Sequence, residues 1–196
     1  MARRSQVDAK KTRQQLLADA AHLFSTQGYS NTSVADICTA SKTTKGALFH
    51  HFKSKQSLFL EIWTSLQVAM DAEAREAAIA ARSLTDPYSA FLAGCRIYLK
   101  YATRRDYQKI VLIDGPSVLG MKGWYEKDHA LGSQNVLAGV RYLAKKGIVA
   151  EGHVEALAAM LQSALNGVGF ALSREEDGVT PKKVYSAFEA MVRSLR

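Results

Sequence analysis

The sequence predicts an all-α protein of about nine helices, and composition and periodicity both point to that class. Alanine and leucine dominate the apolar residues, with 29 Ala and 20 Leu against 13 Val and 7 Ile, and only 3 Pro interrupt the chain. Ala and Leu favour helix, whereas the β-branched residues favour strand. Apolar residues recur at helical spacing along most of the 196 residues, and strand-like alternation is absent.

The overall composition is that of a globular protein rather than of a disordered or membrane protein. With 47% hydrophobic and 22% charged residues, the chain can bury a substantial core. Its longest apolar runs fall short of the ~20 residues that a membrane span needs, and its first residues lack the apolar segment of a secretory signal. Two distant cysteines, Cys38 and Cys95, exclude a disulfide framework. We therefore expect a cytoplasmic protein with no membrane partner.

Positive charge is concentrated near the start of the chain. Residues 1–55 carry 9 Lys/Arg and 3 Asp/Glu, whereas residues 56–196 carry 17 and 15. A basic segment joined to a nearly neutral body favours a module that binds a polyanion such as nucleic acid. Charge alone leaves a second interpretation open, in which these residues form only a soluble basic surface.

Residues that start or stop helices divide the first half of the chain into four predicted helices. Leu16 and Ala20 lie on one face of the first helix, and Gly28 suits the left-handed position that ends it. Ser33 can cap a short second helix, and Ser54 can cap a long fourth helix. The four helices are predicted at residues 8–27, 34–41, 44–51 and 54–82.

The second half of the chain carries similar signals. Asp86-Pro87 is an N-cap followed by proline at the first helical position, and Thr180-Pro181 repeats this pattern. Lys145-Lys146-Gly147 is typical of a helix end. The segment Asp114-Gly115-Pro116-Ser117 predicts a break between helices. Helices are predicted here at residues 87–102, 132–146, 153–173 and 181–195.

Three helices within the first 52 residues, with a tight turn between the second and third, are typical of a helix-turn-helix unit. Thr44 can donate its hydroxyl to a phosphate at the start of the third helix, where backbone N–H groups also favour anions. Lys45 can reach a guanine edge or a phosphate, and Gly46 lets the backbone approach the groove. Leu48 and Phe52 are predicted to be core. The other residues predicted to face DNA are Thr43, His50, His51 and Lys55.

Two stretches of this region resemble the signature of the tetracycline-repressor (TetR) family. The stretch from Gly28 to Ile37 has a Gly-aromatic turn followed by a Ser-capped helix. The second stretch is similar to the family pattern Ser-Lys-Gly-x-Leu-Tyr-x-His-Phe-x-Ser-Lys-Glu-x-Leu. It reads Thr44-Lys45-Gly46-Ala47-Leu48-Phe49-His50-His51-Phe52-Lys53-Ser54-Lys55-Gln56-Ser57-Leu58.

The resemblance implies a dimeric bacterial transcription factor, in most members a repressor. It implies an N-terminal three-helix helix-turn-helix DNA-binding domain at residues 1–53 and a larger C-terminal helical domain for ligand binding and dimerisation at 54–196. A small molecule in the second domain would shift the bridging helix, about 54–82, so that the two recognition helices no longer fit a palindromic operator. By position, Ser33, Thr43, Thr44, Phe49, His51 and Lys55 would face the DNA backbone, and Lys45, Gly46, Ala47 and His50 would lie nearest the base edges.

Three positions depart from the family pattern. Phe49 replaces a Tyr whose hydroxyl reaches a phosphate, which removes one hydrogen bond worth roughly 1 kcal/mol. Lys42 occupies a turn position that is usually Gly, where a left-handed residue costs about 1 kcal/mol, and its amine can offset this cost by touching a phosphate. Gln56 replaces an acidic residue at the start of the bridging helix, which weakens a favourable interaction with the helix dipole.

The C-terminal region offers a candidate dimer interface and a candidate pocket. The apolar stripes of helices 153–173 and 181–195 are broader than one partner needs, and the resemblance implies a four-helix bundle with a second copy. The other interpretation is that these stripes serve only the internal core. Aromatic side chains give a pocket apolar bulk with polar handles, although each one alone is more often a core residue. The predicted pocket residues, for an apolar or aromatic small-molecule effector, are Trp63, Phe91, Tyr98, Asp114, Trp124 and Tyr125.

No motif predicts a metal, a cofactor or a catalytic group. Adjacent His50 and His51 point about 100° apart on a helix and chelate poorly. Cys38 lies on the inner face of its helix and is predicted to pack rather than to react. The segment 167–170 lacks the preceding strand and the third glycine of a dinucleotide site. We expect a regulator rather than an enzyme; a nucleoid-type DNA-binding protein without an effector and a transcriptional activator remain the alternatives.

Overall fold

The computed structural model describes residues 2–131 and 133–195, and within them the chain forms nine α-helices and no strand. The predicted all-α class is confirmed. A π-helical stretch, Tyr107–Asp114, runs directly into the sixth helix, and a 3₁₀ turn, Glu151–His153, precedes the eighth. The helices are α1 (Ala2–Gln27), α2 (Val34–Ala40), α3 (Lys45–His51), α4 (Lys55–Ala80), α5 (Ser89–Tyr101), α6 (Gly115–Leu131), α7 (Ser133–Lys145), α8 (Val154–Ser173) and α9 (Pro181–Arg193).

Side-chain caps begin the helices of the N-terminal region where the sequence predicts them. The Ser33 hydroxyl accepts the Asp36 N–H at 3.1 Å, and the Asp36 carboxylate accepts the Ser33 N–H at 2.8 Å. Ser54 and Ser57 cap α4 in the same reciprocal way. Gly28 ends α1 in the left-handed region at φ +87°. Each cap satisfies backbone groups that a helix end would otherwise leave without a partner.

The turn between α2 and α3 uses the left-handed region without a glycine. Lys42 has φ +49°, and its N–H donates to the Thr39 carbonyl at 3.2 Å while the Thr43 N–H donates to the Cys38 carbonyl at 2.9 Å. The same pair of bonds ends α7, where Gly147 occupies the left-handed position. The left-handed conformation predicted at Lys42 is therefore confirmed.

Three predicted boundaries are wrong, and the first is the start of α1, which lies at Ala2 rather than near residue 8. Gly115 is helical, with φ −50° and ψ −56°, so the chain does not break at residues 114–117. Pro116 has no N–H to donate where the π-helical stretch passes into α6, and the Val111 carbonyl five residues earlier accepts the Trp124 Nε1–H at 3.0 Å. The break lies instead at Gly120, with φ +71° and ψ 150°. In addition, α5 begins only at Ser89, because the Asp86 carboxylate accepts the Tyr88 N–H at 3.0 Å in a turn before the helix.

Apolar faces of α1, α2 and α3 pack into the core of the N-terminal region. Leu16, Ala20 and Phe24 of α1 are fully buried. Leu48 and Phe52, predicted to be core, are 0% and 4% exposed. Since these two side chains lie under α3, they hold the opposite face of that helix towards solvent.

The long helix α4 joins this region to the rest of the molecule. Near its start, the Phe59 ring meets Phe24 and Tyr29 with centroid separations of 5.5 and 5.0 Å. Further along, Trp63 and Met70 are buried against the C-terminal helices. One continuous hydrophobic core therefore runs from α1 to α9, and α4 packs against helices of both regions.

The strain at Lys42 gives a stability prediction with an internal control. Lys42→Gly and Lys42→Ala both remove the charge, but only glycine adopts the left-handed region without steric cost. We expect the free energy of unfolding of Lys42→Gly to exceed that of Lys42→Ala by about 0.5–1 kcal/mol in urea denaturation. An alanine variant at least as stable as the glycine variant would contradict the assignment of strain.

Candidate DNA-binding surface and effector cavity

The outer face of α3 presents the residues predicted to read DNA. Thr44 caps the helix, because its Oγ1 accepts the Ala47 N–H at 3.1 Å. The hydroxyl proton of Thr44 remains available for a phosphate oxygen. Lys45 and Gly46 are exposed at the first turn, the part of a recognition helix that enters the major groove.

The predicted DNA contacts differ in their exposure. Phe49 is 49% exposed, so its ring is available to pack against a sugar or a thymine methyl group. The exposed set is Ser33, Lys42, Thr44, Lys45, Gly46, Phe49 and His50, and the half-buried set is Thr43, Ala47, His51 and Lys55. The contacts of all eleven residues with DNA stay predictions.

Lys55 has internal partners that the sequence did not indicate. Its Nζ donates to the carbonyls of Tyr29 and Thr32, both at 2.9 Å, and lies 4.0 Å from the centre of the Tyr29 ring. These contacts fasten the start of α4 to the turn between α1 and α2. Lys55 is therefore a positioning residue in this structure, and its contact with a phosphate remains a prediction.

The surroundings of the two adjacent histidines of α3 lower the proton affinity of one of them, His51. Partial burial lowers the pKa of His51, and the positive charges of His50 and Arg13 lower it further. His51 is therefore neutral near pH 7 and can donate one ring N–H to a phosphate. Among the described residues, no three His, Cys, Asp or Glu side chains lie close enough to hold a metal ion together.

Asp114 connects the C-terminal region to the turn after α1. Its Oδ2 accepts the Tyr29 N–H at 2.7 Å, and its Oδ1 lies 3.3 Å from Lys109 Nζ. Gly28 makes room for this contact, because a Cβ there would lie 2.8 Å from Lys109 Cε. Nearby, Gln56 of α4 donates to the Val118 carbonyl at 2.9 Å. The sequence predicted Asp114 in a pocket, whereas the structure places it against the DNA-binding region.

A cavity of about 340 Å³ lies between α4, α5, α7 and α8, and we call it the effector cavity after the role that we propose for it. Its walls are mainly apolar, with Met70 and Ala74 from α4, Phe91 from α5 and Leu165 from α8. Its size and lining suit a small organic molecule. Of the six predicted pocket residues, Phe91 and Tyr98 line this cavity.

The other four predicted pocket residues lie elsewhere for identifiable reasons. Trp63 is fully buried beside Gly115, where a Cβ would lie 2.9 Å from the indole nitrogen. Trp124 donates its Nε1–H to the Val111 carbonyl at 3.0 Å and is core. Tyr125 is 53% exposed, and Asp114 faces Tyr29 as described above. A ligand in the effector cavity would therefore not touch these four side chains.

A buried polar network borders the inner end of the effector cavity. Asp128 of α6 accepts an N–H from Gln67 at 2.7 Å and another from Asn166 at 2.8 Å. Tyr107 donates its hydroxyl to Gln67, and Tyr98 donates its hydroxyl to Asn166 at 3.3 Å. Burial raises the pKa of the Asp128 carboxyl, while the bonds from Asn166 and Gln67 lower it. Asp128 and Tyr98 also line the cavity, so the network faces any ligand there.

Sequence reasoning missed this network although a signal for it was present. Gln67 and Asn166 each occupy a buried position within an apolar helical stripe, between residues that are core. A polar side chain at such a position requires a buried partner. The partners lie 61 and 38 residues away in the chain, respectively, so the periodicity of one helix could not name them.

The outer faces of α8 and α9 are apolar or small but exposed. Met160 of α8 is 68% exposed and Met191 of α9 is 41% exposed. Among the described residues, Glu151–Ser173 is the one helical segment that is long and apolar enough to cross a membrane, with a mean hydropathy of 1.3. Only 33% of the 18 most apolar consecutive residues in this segment are buried. A helix of a soluble protein that packs on both faces has the same composition. The exposed small and apolar residues are Ala156, Ala159, Met160, Ser163 and Gly167 on α8, Ala187, Ala190 and Met191 on α9, and Ser194 directly after it.

Known proteins match both ends of the chain. The family described as bacterial regulatory proteins, tetR family, matches residues 16–62. The family described as tetracyclin repressor-like, C-terminal domain, matches residues 88–195, which is more than half of the chain. The first match contains α3 and the residues predicted to face DNA from Ser33 to Lys55, and the second contains most of the effector cavity.

Individual relatives extend this similarity. A TetR-family transcriptional regulator from Pectobacterium atrosepticum has a TM-score of 0.80 and 30% identity, with 96% of each chain covered. The HTH-type transcriptional regulator AcrR of Shigella flexneri is 49% identical over 63 residues, 32% of this chain but only 29% of that protein. The Tn10 TetC protein of Escherichia coli is 31% identical over 121 residues, 62% of this chain and 58% of its own length. The chain therefore belongs to the tetracycline-repressor (TetR) family of bacterial regulatory proteins.

Proposed function

We propose that the protein is a dimeric transcriptional repressor that a small molecule in the effector cavity releases from a palindromic operator. In this proposal residues 1–53 are the DNA-binding domain, residues 54–196 are the effector and dimerisation domain, and α4 bridges them. The site of action is the cytoplasm, where the operator DNA lies. The proposal assigns the chain no catalytic reaction, cofactor or membrane partner.

The observation that carries the proposal is the position of the π-helical stretch Tyr107–Asp114. At its first residue, Tyr107 bonds to Gln67, which in turn bonds to Asp128 at the cavity. At its last residue, Asp114 accepts the Tyr29 N–H of the DNA-binding region. A rearrangement of the polar network around a ligand would therefore act on one end of a single stretch whose other end holds the turn after α1. Single π-helical segments recur at functional sites.

Dimerisation is supported by the exposed faces of α8 and α9. Their small side chains allow two helices to approach closely, and their methionines supply apolar area that a second copy would cover. Two copies related by a two-fold axis would present two α3 helices to half-sites about 34–36 Å apart. A palindromic operator is the matching DNA symmetry.

Substitution of Lys45 is expected to reduce sequence discrimination. A lysine that contacts a guanine edge contributes about 1–3 kcal/mol of discrimination, so Lys45→Ala should lower the ratio of operator affinity to scrambled-DNA affinity by about 5- to 150-fold. Lys42→Ala should weaken both DNAs about equally and reduce the salt slope of binding by about 0.9. An operator selected from random DNA with the wild-type protein, measured by fluorescence anisotropy, provides the assay.

Lys146→Ala is the matched control, because it removes the same charge from an exposed lysine at the end of α7. It should leave operator discrimination unchanged. If Lys45→Ala behaves like Lys146→Ala on every DNA, α3 is not the recognition helix. A wild-type protein that selects no preferred sequence would instead favour the nucleoid-type alternative.

A carboxylate on the outer face of α9 is expected to break the dimer. Ala190→Glu places a charge within the proposed interface, where its burial against the small and apolar residues of a second copy would be costly. Sedimentation should then show a monomer, and operator affinity should fall by about 100-fold because the two half-sites are no longer linked. Ala72→Glu, the same substitution at an exposed position of α4, should remain dimeric. A dimeric Ala190→Glu variant would exclude this face.

Asp114 is expected to couple the effector cavity to DNA without touching the effector. In Asp114→Ala the Tyr29 N–H loses its acceptor, which should lower the free energy of unfolding by about 1–3 kcal/mol. A compound that releases the wild-type protein from its operator should need about fivefold or higher concentration to release the variant. Asp114→Asn keeps a carbonyl acceptor and should retain part of the coupling. Release of Asp114→Ala at the wild-type concentration in the anisotropy assay would remove Tyr107–Asp114 from the mechanism.

A further inference from the structure

We propose that the effector cavity takes an apolar or aromatic molecule with one protonated amine, whose ammonium group binds the carboxylate of Asp128 and, beside it, that of Asp71. This inference rests on the proposed function, because it names the chemical class of the effector. The size and the apolar walls of the cavity do not determine the charge of the ligand, and this inference predicts that the charge is positive.

The carboxylate oxygens of Asp128 are hydrogen-bonded to neutral groups, and the positive charge that acts on them comes from the neighbouring His129, which does not line the cavity. Asp128 is 5% exposed, and the bonds to its two oxygens come from the neutral amides of Gln67 and Asn166. A carboxylate has about four acceptor positions, so two N–H donors leave acceptor capacity on the side that lines the cavity. A buried charge with only neutral donors is costly, and a cation placed against it removes that cost.

Asp71 brings a second carboxylate to the same side of the cavity. It lies on α4 one helical turn beyond Gln67, the residue that donates to Asp128, and both aspartates line the cavity. Asn135 of α7 donates to the Asp71 carboxylate at 2.6 Å and fixes its position. Burial raises the pKa of the Asp71 carboxyl, while the charge of Arg75 lowers it. Two carboxylates held by neutral amides make this end of the cavity selective for a positive group.

Two cationic residues line the cavity, and one of them, Arg75, lies one helical turn beyond Asp71 on α4. Arg75 and Arg82 are exposed and lie further along α4 and just after it. Arg75 approaches the Asp71 carboxylate only to 3.9 Å, and its side chain is 67% exposed, so it neutralises Asp71 weakly. A ligand would therefore place its amine inward at Asp128 and its apolar part among Met70, Phe91 and Leu165.

Three compounds that differ only in their end group test this inference. They are 4-phenylbutylamine, 4-phenylbutanol and 4-phenylbutyrate, which carry a cation, a neutral donor and an anion on the same aryl chain. We expect the amine to bind the full-length protein at least about tenfold more tightly than either of the others in calorimetric or NMR titrations without DNA. Asp128→Asn should remove this preference, because it keeps the shape of the side chain and removes its charge.

Two further variants keep the test interpretable. Glu126→Gln removes the same charge from α6, but Glu126 is 65% exposed and outside the cavity, so the preference for the amine should remain. If Asp128→Asn does not fold, because its amide cannot accept from both Gln67 and Asn166, Asp71→Asn provides the second variant and should reduce the preference several-fold. A preference for the amine that Asp71→Asn leaves unchanged would then overturn the assignment.

The outcomes separate this inference from the proposed function. Equal affinities for the three compounds, no binding of any of them at millimolar concentration, or tightest binding of the carboxylate with loss in Arg75→Gln would each overturn it. An amine that binds through Asp128 but leaves the protein on its operator supports the inference and contradicts effector-controlled release. Release of DNA by the alcohol as readily as by the amine overturns the inference and leaves effector control in place.

Discussion

The hydrogen bond from the Tyr29 N–H to Asp114 joins the two functional parts of the molecule. Asp114 stands at the end of the π-helical stretch and also faces Lys109, so its charge is balanced where it meets the turn after α1. On the other side of that turn, Lys55 donates to the carbonyls of Tyr29 and Thr32. The turn is therefore held by the C-terminal region through its amide and by α4 through its carbonyls, and the orientation of α1, α2 and α3 depends on both.

The buried polar network gives the same stretch a second attachment. Tyr107 begins the π-helical stretch and bonds to Gln67, whose amide reaches Asp128. In a close-packed interior, a side chain that moves displaces its neighbours. A hydrogen-bonded network transmits such a displacement along its bonds. The eight residues from Tyr107 to Asp114 thus form one continuous element between the polar network at the cavity and the DNA-binding region. Coupling through this element requires that it have two arrangements, which is a property that ligand binding would reveal.

Local signals in the sequence predicted the N-terminal region well. Ser33, Gly28 and Ser54 set helix ends through contacts with residues at most four positions away, which sequence patterns can capture. The left-handed Lys42 followed instead from the family resemblance, which places a turn glycine at that position. The failures concern long-range partners: Asp114 was assigned to a pocket because its contact with Tyr29 spans 85 residues. Asp128 escaped notice for the same reason, since neither amide that binds it lies on its own helix.

Helix α8 links the cavity to the proposed dimer interface. Its inner face supplies Leu165 and Gln162 to the effector cavity, and its outer face carries the exposed Met160. An α-helix is stiff over 20 residues, so a ligand that displaces the inner face must displace the outer face too. In a two-fold dimer each such displacement occurs twice and in opposite directions, which changes the separation of the two α3 helices by more than the movement within one copy. Because half-sites on DNA have a fixed spacing, we expect a modest shift at the cavity to disfavour the operator in the proposed dimer.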